Sequence, residues 1–287
     1  MASDSVAVVI GLGSMGQRYV SHFRSQENTT VIGCDLKSET FPDGINCVET
    51  VSELLDTTTP SIAVIASPAP HHLDTLFALQ EQHPRCSVLM EKPVTDQQLT
   101  QTDFLRCQSL MDRTIAFGYC WRFHPYARQL YASRRSIRDI TLCVSSDMRT
   151  WPGNHYVDPL REFSHEIDLV SYLTSTQRIE NVSFTGGMYW IDGTHRLGRW
   201  SVRILPFEEP ASRFVEVVMS DKTVVSHHWD VRPRTIEAMY RDQALQVTHA
   251  NGPEGLFCSL REGIQTTLLV DEIESRLSLN DAAWRIM

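Results

Sequence analysis

The sequence contains no apolar run approaching the roughly 18 residues of a membrane-spanning helix, no C-x-x-C pair, no internal repeat and no low-complexity tract. The opening stretch MASDSVAVV lacks a basic n-region and a cleavage site, so the chain is expected to stay in the cytoplasm, away from any membrane. Basic residues are also scarce: 26 Lys and Arg face 35 Asp and Glu, a formal net charge of −9. That balance argues against nucleic acid or an anionic membrane as partner, because both require clustered cations. The nearest cluster, Arg134, Arg135 and Arg138, reads as a solvated helix end. The seven cysteines (34, 47, 86, 107, 120, 143 and 258) are odd in number and scattered, which fits reduced, mostly buried thiols rather than disulfides or a zinc site. No metal is expected.

What is present is enough for a large core. With 287 residues, 42% of them hydrophobic, two domains are the default expectation. The most informative segment is Val6 to Phe23. Val6, Val8, Val9 and Ile10 form a β-branched apolar run, and Gly11-Leu12-Gly13-Ser14-Met15-Gly16 then gives the spacing G-x-G-x-x-G before a helical pattern of Tyr19, Val20 and Phe23. In such a turn Gly11 permits the tight bend, Gly13 leaves room for a pyrophosphate and Gly16 lets the helix pack on the strand. The free N–H groups around Ser14 and Met15 face the phosphates, aided by the helix dipole. A second apolar run, Thr30 to Cys34, ends in Asp35, 19 residues beyond Gly16 and near the offset expected of the acid that binds the adenosine ribose. Asp35 bonds a ribose diol and repels a 2′-phosphate, which favours NAD; Lys37 and Ser38 stand close enough to receive that phosphate, which keeps NADP open.

Further strands are read at Ser61–Ala66, Cys86–Met90 and Thr114–Tyr119, with helices at Val51–Leu55, Leu73–Leu79 and Asp96–Met111 between them. This alternation predicts a doubly wound parallel sheet, a Rossmann domain over residues 1–121, whose ligand lies beyond the strand carboxyl ends where Gly11, Asp35, Ser67, Glu91 and Tyr119 fall. Residues 122–287 change character. Short alternating runs such as Ser201 to Ile204 and Phe214 to Val218, joined by turns at Gly186-Gly187 and Asp221-Lys222, predict an α/β domain with an open-faced, mainly antiparallel sheet. Helical patterns at Glu162–Leu173 and Gly255–Leu277 accompany it.

Four features in this order, the glycine fingerprint, Glu91-Lys92-Pro93, Arg122-Phe123-His124-Pro125 and His165-Glu166-Ile167-Asp168, give a chain that resembles the glucose–fructose oxidoreductase / inositol dehydrogenase / MocA family over nearly its full length. The resemblance implies an NAD- or NADP-dependent enzyme acting on sugars, cyclitols or nucleotide-linked sugars, assembled into a homo-oligomer (dimer or tetramer) through the second domain's sheet. It implies Lys92 as the residue that orients or protonates the reacting oxygen, with Glu91 holding it, and His165 as a second proton carrier. Asp168, three residues on, shares a helix face with His165 and orients its imidazole or touches the substrate directly. Ser67, Pro68 and His72 match the turn that lines the cofactor or caps the next helix, and Arg122 anchors cofactor or substrate. Many members place Asp where this chain has Arg161; here Arg161 either offers a carboxylate or phosphate a bidentate partner or has lost the usual role, which points to an anionic substrate or altered chemistry. Tyr156 and Trp151 line the sugar site or pack an interface. Cys120 stands where the family often carries Asn. Two other readings stay open: reduction of an imine or conjugated bond, as in relatives acting on biliverdin, and a nucleotide-binding sensor without turnover.

Overall fold

A computed structural model describes residues 5–37, 42–150, 158–175, 178–229, 232–248 and 258–280. The chain divides into two compact units: Met1–Phe123 with Glu237–Gln265, and His124–Ile236 with Thr266–Met287.

The first unit alternates strand and helix: β1 (Ser5–Ile10), α1 (Ser14–Arg24), β2 (Thr29–Cys34), β3 (Asn46–Val48), α2 (Val51–Thr57), β4 (Ile62–Ile65), α3 (His72–Gln82), β5 (Ser87–Met90), α4 (Gln101–Gln108) and β6 (Ile115–Phe117). The six strands lie in the order β3-β2-β1-β4-β5-β6, all parallel. That order reverses between β1 and β4, where doubly wound sheets take their ligands. Both faces of the sheet are covered, so its strands read as continuous apolar runs. Val8 and Ile10 join one apolar cluster with Ile65, Met90 and Leu76, while Ala7 and Val9 join another with Tyr19, Val20 and Phe23.

In the second unit α5 (Pro125–Ala132) leads to β7 (Ile137–Asp147), α6 (Pro159–Glu162), α7 (Ser164–Thr174), β8 (Arg178–Thr185), β9 (Met188–His195), β10 (Gly198–Leu205), β11 (Phe207–Met219) and β12 (Val224–His228). These strands form a six-stranded sheet ordered β12-β11-β7-β10-β9-β8. All neighbours are antiparallel except β7 and β10, which are parallel. The exception follows from connectivity: α6 and α7 return the chain to the far edge, and the meander from β8 to β10 works back until β10 lies beside β7. Leu142, Val144, Val202, Ile204, Val215 and Val217 are buried on one face with Ile167 and Val170 of α7. The opposite face carries polar groups, among them Asp192, which accepts from Ser201 Oγ at 2.6 Å and Arg203 Nη2 at 2.7 Å.

Among the described residues two further helices follow, α8 (Pro233–Thr248) and α9 (Leu260–Asn280). Here the structure departs from a division at residues 121 and 122, because residues 237–265 belong to the first unit. The cause is burial: Ala244 packs in one apolar cluster of the parallel sheet, and Cys258, Leu260 and Ile264 pack in the other. The amphipathic pattern of a helix says that one face is covered, not by which unit. The predicted helix Asp96–Met111 also shortens to α4, which starts where Thr100 Oγ1 caps the Asp103 amide at 3.1 Å. The last helix begins at Leu260, not Gly255, and α8 was not read from the sequence at all.

Candidate active site

Gly11, Asp35, Ser67, Glu91 and Tyr119 all follow the carboxyl ends of parallel strands, and Lys92 comes next after Glu91. Gly11 sits at φ +89°, and a Cβ there would stand 2.4 Å from the Ser67 amide. A Cβ on Gly16 would stand 1.8 Å from the Gly11 carbonyl oxygen, so α1 leaves the strand in direct backbone contact. Gly13 differs: a Cβ there would meet nothing within 4 Å. It precedes α1, whose N-terminus has no side-chain cap and no acid in its first turn, with Ser14 exposed and Met15 half-buried. Asp35 is oriented by two backbone amides, Leu12 N–H to Oδ2 at 2.7 Å and Lys37 N–H to Oδ1 at 3.0 Å. Ser67 Oγ is shielded from solvent and has no hydrogen-bond partner among the described residues. Open space at Gly13, uncapped helix amides, an oriented carboxylate and an orphaned hydroxyl are what a dinucleotide's pyrophosphate and ribose require, so these residues fit NAD.

Glu91 follows β5 and is buried. Its carboxylate accepts the Tyr19 hydroxyl at 2.5 Å and the Lys92 amide at 3.3 Å. Gly118 makes room for it, since a Cβ there would stand 2.6 Å from Glu91 Oε2. Burial and the Glu91 carboxylate hold the Tyr19 phenol far above its usual pKa, so it stays a donor. Lys92 itself is half-buried, and its peptide bond to Pro93 is cis. Tyr19 had only its place on the buried face of α1 to recommend it; nothing in the pattern showed that its hydroxyl reaches the residue beside Lys92.

His72 does not cap α3. Its ring lies between two carbonyls, Nε2 at 2.6 Å from Ser67 O and Nδ1 at 2.7 Å from Pro93 O. Pro68 is exposed, and its carbonyl accepts the His71 amide. Arg122 is almost wholly buried and donates from Nη1 to Glu262 Oε1 at 2.9 Å. The other oxygen of Glu262 accepts the Ser259 amide and hydroxyl at 2.9 and 2.8 Å, so Arg122 ties the start of α9 to its own unit.

In the second unit His165 and Asp168 are buried on α7, and Asp168 Oδ1 accepts the Thr266 hydroxyl at 3.3 Å. Arg161 meets acids of its own unit: Nη2 is 2.7 Å from Asp271 Oδ1 and 2.6 Å from Glu274 Oε2. Burial pushes the Glu274 carboxyl up to about 7 against the pull of Arg161. No sequence signal linked Arg161 to acids more than a hundred residues away. Tyr156, Trp151 and Ser38 lie outside the described residues.

This ion cluster yields a test. Arg161→Met removes a buried cation from two partly buried carboxylates and is expected to cost about 3 kcal/mol at neutral pH, read by urea denaturation. Since Glu274 binds its proton more tightly folded than unfolded, stability contributed by it is lost as pH rises from about 4.5 toward 7, roughly 1–2 kcal/mol after solvent screening. Glu274→Gln is expected to flatten that slope; an unchanged slope would remove Glu274 as its source.

Among the described residues the cysteines are free thiols and no group of His, Cys, Asp and Glu could hold a metal ion. No described helix is long and apolar enough to cross a membrane.

Fold and site together define a dinucleotide-binding Rossmann unit joined to a second α/β unit with an open sheet. Residues 6–112 match the model described as oxidoreductase family, NAD-binding Rossmann fold. Over those residues the nucleotide unit is similar to the glucose–fructose oxidoreductase / inositol dehydrogenase / MocA family's NAD-binding domain. Solved structures share the fold across the whole chain. A myo-inositol dehydrogenase from Corynebacterium glutamicum superposes with TM-score 0.78 at 11% identity, covering 96% of this chain and 97% of its own. The WlbA dehydrogenase from Bordetella pertussis, solved with NADH and UDP-GlcNAcA, gives 0.78 at 14%, covering 98% and 97%. A dehydrogenase from Chromobacterium violaceum gives 0.77 at 16%, covering all of both chains. No curated protein matches in sequence.

Proposed function

We propose that the chain moves a hydride between C4 of a nicotinamide and a carbinol or carbonyl carbon of a sugar, cyclitol or nucleotide-linked sugar. The observation that carries this reading is the strand-end cluster of the first unit: open space at Gly13, Asp35 oriented by two amides, and Lys92 next to a buried Glu91. NAD, when bound, supplies the hydride acceptor or donor. The chain supplies the rest. The uncapped amides of α1 take the pyrophosphate, Asp35 takes the ribose diol, and the Lys92 ammonium donates a hydrogen bond to the reacting oxygen and exchanges its proton. His165 is the second proton carrier, on the helix that also bears Asp168. Arg161, with two acids as partners, is the internal counterion of its unit, so the substrate need not be anionic. The substrate class is supported by the fold shared with the inositol and UDP-sugar dehydrogenase structures. The open sheet face, with Trp190 exposed and the Arg203 guanidinium 4.5 Å from its ring, is the surface we assign to a second copy of the chain.

Titration with NADH and NADPH, followed by nicotinamide fluorescence, tests the cofactor step. NADH is expected to bind the more tightly, and Asp35→Ala to weaken it about tenfold or more through loss of charge-assisted hydrogen bonds. Failure of both nucleotides to bind would overturn the reading.

A further inference from the structure

His72 makes two contacts that a neutral imidazole cannot both satisfy. The ring is 1% exposed, and each nitrogen lies within hydrogen-bond distance of a carbonyl oxygen, Ser67 O at 2.6 Å and Pro93 O at 2.7 Å. A carbonyl only accepts, and a neutral ring has one N–H, so both bonds form together only when the ring carries two protons. Burial opposes that charge, as do His71 beside it and Lys92 across from it, and the ring pKa falls below its ordinary value despite the two carbonyls.

The two carbonyls belong to the loops leaving adjacent strands, β4 and β5. One loop carries Ser67, whose shielded Oγ has no partner within the described residues. The other carries Lys92, bonded directly to Pro93. We propose that His72 is a positioning residue that couples the loop after β4 to Lys92, so that dinucleotide occupying the Ser67 side resets the hold on the Pro93 carbonyl and with it the seat of the Lys92 ammonium. The proposal rests on the dinucleotide reading above. A ligand that engages Ser67 changes how its carbonyl competes for the ring proton, and the Pro93 carbonyl is the other competitor.

The test uses the full chain and needs no substrate. Lys92 is labelled with an amine-reactive reagent, quantified by mass spectrometry with and without saturating NADH, while NADH affinity is measured in parallel. In the wild type NADH is expected to alter Lys92 labelling by about fivefold or more, the lower end of ordinary coupling between sites. His72→Phe is expected to bind NADH still but to lose most of that change, and His72→Gln, whose amide nitrogen keeps a donor that either carbonyl can draw, to recover part of it. If His72→Phe shows the wild-type response, NADH shields Lys92 directly and the coupling is overturned while the cofactor reading stands. If neither NADH nor NADPH binds the wild type, both fall. Should His72→Phe fail to unfold cooperatively, the ratio of labelling with and without NADH is compared between wild type and His72→Gln from about pH 5 to 8. A pH dependence confined to the wild type supports the coupling, and identical profiles overturn it.

Discussion

Lys92→Ala is expected to lower turnover by about two to four orders of magnitude, the range a positioned acid–base group contributes, with NADH affinity little changed. The residue stands at the carboxyl end of β5 and is half-buried, so truncation removes an ammonium without opening a core cavity. Glu91 keeps its Tyr19 bond and its backbone bond to Ile65 O at 2.8 Å, so the loop retains its supports. Lys92→Arg sharpens the result. A guanidinium keeps the charge but does not release a proton near neutral pH, so it rescues orientation of the reacting oxygen and not proton exchange. Recovery of less than about tenfold in the Arg variant would mark proton transfer as the dominant role. The measurement is the steady-state rate on a substrate that the wild type turns over. An alanine variant with full kcat would remove Lys92 from the chemistry and shift attention to His165.

The residues most legible in the sequence are those whose backbone demands one amino acid. Gly11 and Gly16 announced the strand–turn–helix because no other residue fits their contacts, and Asp35 followed from its offset along a βαβ unit of nearly fixed length. The parallel, doubly wound character of the first sheet was implied by alternation alone, whereas its strand order came from the structure. The second unit was legible as strands but not in its one parallel pair, because pairing direction depends on where α6 and α7 return the chain. The ownership of residues 237–265 was hidden for the same reason: Ala244 and Ile264 are ordinary helical apolar positions until the sheet they cover is known. Long-range polar partners were the least visible. Arg161 looked like a ligand for an anionic substrate because Asp271 and Glu274 approach it only through the fold. Arg122 with Glu262 and Tyr19 with Glu91 are of the same kind.

The fingerprint glycines separate what folding needs from what the nucleotide needs. Gly16→Val puts a Cβ into the Gly11 carbonyl, a contact of backbone on backbone that no rotamer relieves. It is expected to cost about 3 kcal/mol or more, as overpacking at a rigid contact does, and to lower Tm together with NADH affinity. At Gly13 an added Cβ meets nothing within 4 Å, and φ is −65°, open to any L-residue. The Tm of Gly13→Val is therefore expected to stay within about 2 °C of the wild type, as for a surface change of less than ~0.5 kcal/mol. NADH affinity is a different matter. The added methyls occupy the space through which a pyrophosphate must approach the α1 amides, so the affinity is expected to fall by about tenfold or more. Thermal unfolding and fluorescence titration of the two variants side by side read both quantities. A Gly13→Val protein that kept its Tm and also kept wild-type affinity for NADH would mean that the phosphates do not pass over this glycine. The empty space beside it would then lose its meaning as the nucleotide's path.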